Sequence, residues 1–297
     1  MSFPNDYEAL TAGHGYVALK DWSTVTMTGE DRQSFLHNMC TNDIRRLSAG
    51  KSCEAFCTDV QGKIVAHVFV TAREDRLELL MVPGQAETLI AHLDRYIIRE
   101  DVVLADATSD LTWLFVGSGE TASELAEFGV VQSRFAGLEG SLLGAAAGQL
   151  QKVQDRLHDA CCQEVWETLR IESGLPLFGV EFDSTNLPQE VNRDELAISF
   201  NKGCYLGQET IARIDALGHV NQKVVLLRFE GEAAPPVGLE LCVANKSVGR
   251  VTSSCWSPKF KASLALAKVR RNANELGSKL ESDFGNATVI SPVAKEN

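Results

Sequence analysis

The feature that most constrains the fold is a change of pattern near Lys223. From there the chain reads as strands: Val224 to Phe229, Leu239 to Ala244, Val248 to Ser253, Leu264 to Val269 and Ala287 to Ile290. Glycines and prolines separate them, and the Gly231 to Gly238 stretch with Pro235-Pro236 is an inter-strand loop, not a linker. A small C-terminal barrel or sandwich follows from this pattern.

The chain before Lys223 is mixed. Val17 to Lys20 and Thr24 to Thr28 read as strands around Asp21-Trp22, and Glu30 to Met39 reads as a helix. Cys53 to Thr58, Ile64 to Thr71 and Leu77 to Val82 form a meander with turns at Val60 to Lys63 and Arg73 to Arg76. A helix runs from Pro83-Gly84 to about Tyr96, and strands follow at Val102 to Asp106 and Leu111 to Val116. Thr121 to Phe128 reads as a short helix ended by Gly129. Leu157, Cys161, Val165 and Leu169 repeat at i,i+4 and predict a helix that ends at Gly174. Leu175 to Asn201 is mostly irregular, and loops of that length are often functional. The class is α+β.

The charge balance of 28 basic and 40 acidic residues gives −12 at neutral pH. Such a chain is a poor general binder of nucleic acid or anionic membrane. No apolar run is long enough to span a bilayer. The N-terminal residues have neither signal-peptide nor transit-peptide character. The eight cysteines are scattered, which suits a reduced, cytoplasmic protein. Cys53 and Cys57 share a strand face, but no partner pair at ligand spacing is evident, so no metal site is expected.

Chemistry concentrates in Lys202-Gly203-Cys204-Tyr205-Leu206-Gly207-Gln208-Glu209. A helical pattern follows, with Ile211, Ile214 and Leu217 on one face and Gly218 at its end. Cys204 therefore lies in a loop near a helix N-terminus, where unpaired N–H groups and the Lys202 ammonium favour a thiolate. Gly203 and Gly207 open the backbone to a ligand. The same residues also suit a buried, inert cysteine in a glycine-rich turn.

This motif resembles the signature of the YgfZ family of folate-binding proteins, whose superfamily includes the glycine cleavage aminomethyltransferase. Arg170-Ile171-Glu172-Ser173-Gly174-Leu175-Pro176-Leu177-Phe178-Gly179 is similar to a second superfamily segment. Val248 to Ser253, followed by Trp256-Ser257-Pro258, is similar to its barrel motif. The matches run in order from Trp22 to about Lys268. The resemblance implies a three-lobed aminomethyltransferase-like cloverleaf. Residues 1–50 plus 135–221 would form an α+β folate lobe, residues 51–134 a ferredoxin-like central lobe, and residues 222–297 a C-terminal β-barrel. Folate would sit in a channel between the lobes.

The resemblance also implies roles. Tetrahydrofolate or a one-carbon derivative is the expected cofactor, and assembly or repair of iron–sulfur enzymes is the expected function. The partners would be client or assembly proteins. Trp22 and Trp166 fall where the family sets aromatic rings against folate, and Glu172 where a carboxylate meets the amino-pyrimidine edge. Lys202 would pair with folate carboxylates or hold Cys204 as thiolate. Cys204 would act as nucleophile, cluster ligand or redox group. One departure bears on the alternative, a folate-dependent aminomethyl- or methyltransferase. The transferases carry an acidic pair in the meander where this chain has Ala66 and His67. Alanine cannot accept a proton, so a working aminomethyltransferase is not expected.

Overall fold

A computed structural model describes residues 3–13, 15–117, 125, 131–133, 140–157 and 159–292. The expected helix from Thr121 to Phe128 lies outside these residues, apart from Leu125. The chain divides into two compact units: Met1–Val165 with Asp194–Thr210, and Trp166–Arg193 with Ile211–Asn297.

The first unit holds α1 (Phe3–Thr11), β1 (Gly15–Leu19), β2 (Ser23–Thr28), α2 (Arg32–Met39), β3 (Ser52–Thr58), β4 (Ile64–Ala72), β5 (Leu77–Met81) and α3 (Ala86–Asp94). There follow β6 (Val103–Asp106), β7 (Leu111–Gly117), β8 (Val131–Ser133), β9 (Gly140–Ala146), α4 (Ala147–Gln154) and β10 (Asp159–Ala160). One sheet runs β3-β4-β5-β2-β6, all antiparallel. Alternate residues of its strands, such as Val25, Ala55, Val68 and Leu79, pack with Phe35, Leu36, Leu89 and Leu93 of α2 and α3. The other sheet runs β10-β1-β7-β9-β8 and is covered by α4. The Trp113 indole of β7 donates to Thr24 Oγ1 of β2 at 2.9 Å and so ties the two sheets.

These sheets cut across the lobe boundaries expected above. β2, expected in the first lobe, is hydrogen-bonded between β5 and β6. β7, expected in the central lobe, pairs with β1.

The helix expected from Leu157 through Leu169 is shorter: α5 spans Gln163–Glu172. Asp159 and Ala160 instead pair with Gly15 and Tyr16 in a parallel pairing, the other described pairings of that sheet being antiparallel. Cys161 N–H donates to Tyr16 O, and Cys162 N–H to the buried Asp6 carboxylate. Tertiary pairing has won over helical spacing there. Residues 175–201 are irregular except for the one-turn helices α6 (Pro188–Val191) and α7 (Asp194–Ala197). The thiol motif leads into α8 (Gln208–Leu217).

The second unit is built on β11 (Gln222–Phe229), β12 (Glu240–Val243), β13 (Lys246–Ser257), β14 (Ala262–Arg270), β15 (Lys279–Leu280) and β16 (Ala287–Ile290). Their order is β12-β13-β14-β11-β16-β15. The edge residues Cys242 and Glu281 exchange backbone bonds of 2.8 and 2.9 Å, which brings the first strand to the last and nearly closes a barrel. Its interior is filled by Val225, Leu227, Leu241, Val251, Ala265, Ala267 and Val289. β15 is too short to show in the sequence, and β13 runs past a bulge between Val251 and Ser253.

Candidate functional site

Cys204 is exposed and the residues around it are pinned. Helix α2 ends at Cys40 without a C-terminal glycine, so its last carbonyls need outside donors. The thiol loop supplies them. Lys202 Nζ donates to His37 O, and to Cys40 O and Asn42 O at 2.7 Å each. Leu206 N–H donates to Asn38 O at 2.9 Å. The Thr58 hydroxyl donates to Leu206 O at 2.6 Å, and the Tyr205 ring lies 4.9 Å from the Lys202 ammonium. Gly207 has φ +82° and touches the Asp59–Gly62 turn. A Cβ there would lie 2.5 Å from Asp59 O, so only glycine fits. Gly203 meets no such obstacle.

Lys202 is therefore directed into the C-terminus of α2. All three ammonium protons have backbone acceptors. Burial lowers its pKa, opposed by the nearby thiols and Asp43. Cys204 precedes α8 by a turn and is not its capping residue.

Five of the other thiols are held protonated by burial. Burial pushes Cys40, Cys53 and Cys57 up, Cys161 to about 11 and Cys255 to about 12. Thiols so shifted are poor nucleophiles at neutral pH. Cys162, expected inside a helix, is exposed at the foot of α5 and is the natural rival of Cys204.

Trp22 is nearly buried, beside Phe69 at a ring separation of 6.4 Å. Phe69 begins a run of rings on one sheet face, with His67 at 5.0 Å and Phe56 stacked on His67 at 4.7 Å. His67 Nε2 lies 2.8 Å from Glu54 Oε1, both groups being buried. Glu54 escapes a linear reading of the meander. It comes from the neighbouring strand, where β3 and β4 pair Glu54 with Phe69 and Phe56 with His67. Its signal was the acid in Cys53-Glu54-Ala55-Phe56, on the face that carries the aromatic ring. A carboxylate is thus present beside His67, although Ala66 points into the apolar core.

In the second unit, Trp166 is buried within α5. Glu172, the last residue of that helix, is also buried, and its Oε1 accepts from the Ser257 hydroxyl. Ser257 Oγ in turn accepts from Phe260 N–H at 3.0 Å. Arg170 is a hub: Nε reaches Glu167 at 2.7 Å, Nη2 reaches Ser253 at 2.8 Å and Nη1 reaches Glu181 at 3.4 Å. Glu181 also accepts from Ser253 Oγ and from Leu177 N–H. The helix closes at Gly174 (φ +63°) with the paired bonds Gly174 N–H to Ile171 O and Leu175 N–H to Arg170 O.

Residues 222–295 match the glycine cleavage T-protein C-terminal barrel domain. The tRNA-modifying protein YgfZ of Yersinia enterocolitica is 29% identical over 245 residues, covering 76% of this chain and 74% of that protein. A chloroplastic Arabidopsis thaliana protein is 27% identical over 311 residues, covering 93% and 71%. The aminomethyltransferase T of the Bartonella henselae glycine cleavage system superposes with a TM-score of 0.85, over 97% of this chain and 88% of that one, at 18% identity. Residues 222–295 thus form a glycine cleavage T-protein C-terminal barrel domain, and the chain as a whole is a distant homologue of the YgfZ proteins.

Each unit by itself holds a group of the kind a pterin needs: in the first, Trp22 ends a run of flat rings, and in the second, Glu172 is a desolvated carboxylate that accepts from a hydroxyl. Among the described residues no group of three or more His, Cys, Asp or Glu side chains can hold a metal ion. No described helix is long and apolar enough to cross a membrane.

Proposed function

We propose that this protein binds tetrahydrofolate or a one-carbon derivative and supports the assembly or repair of iron–sulfur enzymes in the cytoplasm, with Cys204 as the working thiol. The observation that carries the reading is the exposed Cys204 on a loop fixed at both ends, within a superfamily homologue. Folate contacts fall to Trp22, and separately to Trp166 and Glu172. Bound folate would supply a one-carbon carrier, and these residues would hold its rings and its amino-pyrimidine edge. The YgfZ relative is named for tRNA modification. With a net charge of −12, the present chain reaches tRNA through a client enzyme and not by binding RNA itself.

Calorimetric titration with tetrahydrofolate and its one-carbon forms tests the ligand. Trp22→Ala and Trp166→Ala, each judged on its own, weaken binding by roughly 1–3 kcal/mol, the scale of a lost aromatic stack. Unchanged affinity in both folded variants refutes the assignment.

One observation favours a second reading, a folate-dependent aminomethyl- or methyltransferase. The Glu54–His67 pair sets an acid, from the neighbouring strand, beside a base on the strand where the acidic pair is missing. Formaldehyde release from an aminomethylated carrier protein, lost in Glu54→Gln, would establish it.

A further inference from the structure

The Lys202 side chain raises a question that the motif alone leaves open: does it serve the thiol by its charge or by its place? A charge role requires the ammonium to face Cys204. Its three protons are instead spent on His37 O, Cys40 O and Asn42 O, and its fourth neighbour is the Tyr205 ring. Lys202 is buried while Cys204 is exposed.

The three carbonyls belong to a junction. Asn42 Nδ2 donates to Glu54 O at 2.7 Å and to Leu196 O at 2.9 Å. Thr41 Oγ1 donates to Ala197 O at 2.6 Å, and Ser199 N–H to Thr41 O at 2.9 Å. The segment after α2 thus holds β3, the run into the thiol loop, and the loop itself. Lys202 fastens the loop at one end, and Leu206 with Gly207 fastens it at the other. Only Gly203, Cys204 and Tyr205 lie between, and Tyr205 is buried.

We propose that Lys202 is a positioning residue for Cys204, acting through the seat of its ammonium in the carbonyl cage that ends α2. This rests on the reading of Cys204 as the working thiol, but the cage is testable without it. A tetrahedral ammonium directs three donors at three converging oxygens. A planar guanidinium cannot, so arginine preserves the charge and loses the seat.

The test has two arms. In wild-type protein labelled with 15N-lysine, the Lys202 ammonium gives a slowly exchanging signal that persists when Cys204 is blocked with iodoacetamide. An ammonium facing the thiol loses or shifts that signal on blocking, which overturns the proposal. In the second arm, hydrogen exchange at Leu206 N–H is compared in wild type, Lys202→Met and Lys202→Arg. Both variants lose protection by roughly tenfold or more, and arginine does not rescue. Wild-type protection in Lys202→Arg, with loss in Lys202→Met, would show that charge alone is needed. The first arm uses the intact protein, so it decides even if a variant fails to fold. Neither arm reads folate or iron–sulfur support. A failure of the functional reading therefore leaves the cage standing, and a failure of the cage leaves the functional reading standing.

Discussion

The two motif regions use charge in opposite ways. In the first unit the Lys202 to Glu209 motif spends its lysine on backbone carbonyls and leaves its cysteine bare. In the second, the Arg170 to Gly179 motif buries its arginine against Glu181, just beyond the motif, and its Glu172 against the Ser257 hydroxyl. Arg170, Glu181 and Ser253 close a network in which the arginine is 3% and the glutamate 0% exposed. The first arrangement leaves a thiol exposed, and the second locks a helix end and the following loop onto the barrel. A motif is mostly scaffold, and burial tells which member is left for chemistry.

If the second region is a lock, breaking it has the largest effect. Arg170→Met leaves Glu181 buried without its cation and costs about 3–5 kcal/mol of stability, read from urea unfolding. A loss below about 1 kcal/mol would mean that water reaches Glu181 and that the contrast is overdrawn.

The first region is held by backbone fit, so a methyl group disturbs it. Gly207→Ala forces a Cβ toward Asp59 O at positive φ and costs about 2 kcal/mol, with faster hydrogen exchange around Leu206. An unchanged exchange pattern would show that the loop can shift without cost.

A smaller effect comes from histidine. Burial, then Lys202, lowers the pKa of His37, and burial, then Arg95, lowers that of His92. The unfolded chain, with imidazoles near 6.5, takes up protons before the folded one does. The contribution of these two histidines to stability is therefore complete above that pH and is lost as the pH falls below it. Urea midpoints at pH 7 and 5.5 measure the loss, and His92→Gln reduces it. A flat profile would contradict the buried, neutral imidazoles.

Much of this was legible in the sequence. The barrel strands, the meander and the helix after the thiol motif follow their periodicities to within a few residues. The miss at Leu157 to Cys161 has a definite cause: i,i+4 spacing cannot register a parallel partner at Gly15-Tyr16, far away in sequence. The glycines around Cys204 suited an exposed thiol and a buried one equally, and the fold exposes it. The orientation of Lys202 was not, because its acceptors are carbonyls of a helix end some 160 residues earlier. Glu54 was missed for the same reason, since only strand register sets it against His67.

Under the proposed function Cys204, and not the other exposed thiol Cys162, is the working thiol. The direct measurement is the activity of an iron–sulfur enzyme in cells that lack their own copy of this protein and carry wild type, Cys204→Ser or Cys162→Ser. The expected result is that Cys204→Ser fails while still binding folate, and that Cys162→Ser matches wild type. Full support by Cys204→Ser, or equal failure of Cys162→Ser, would contradict it.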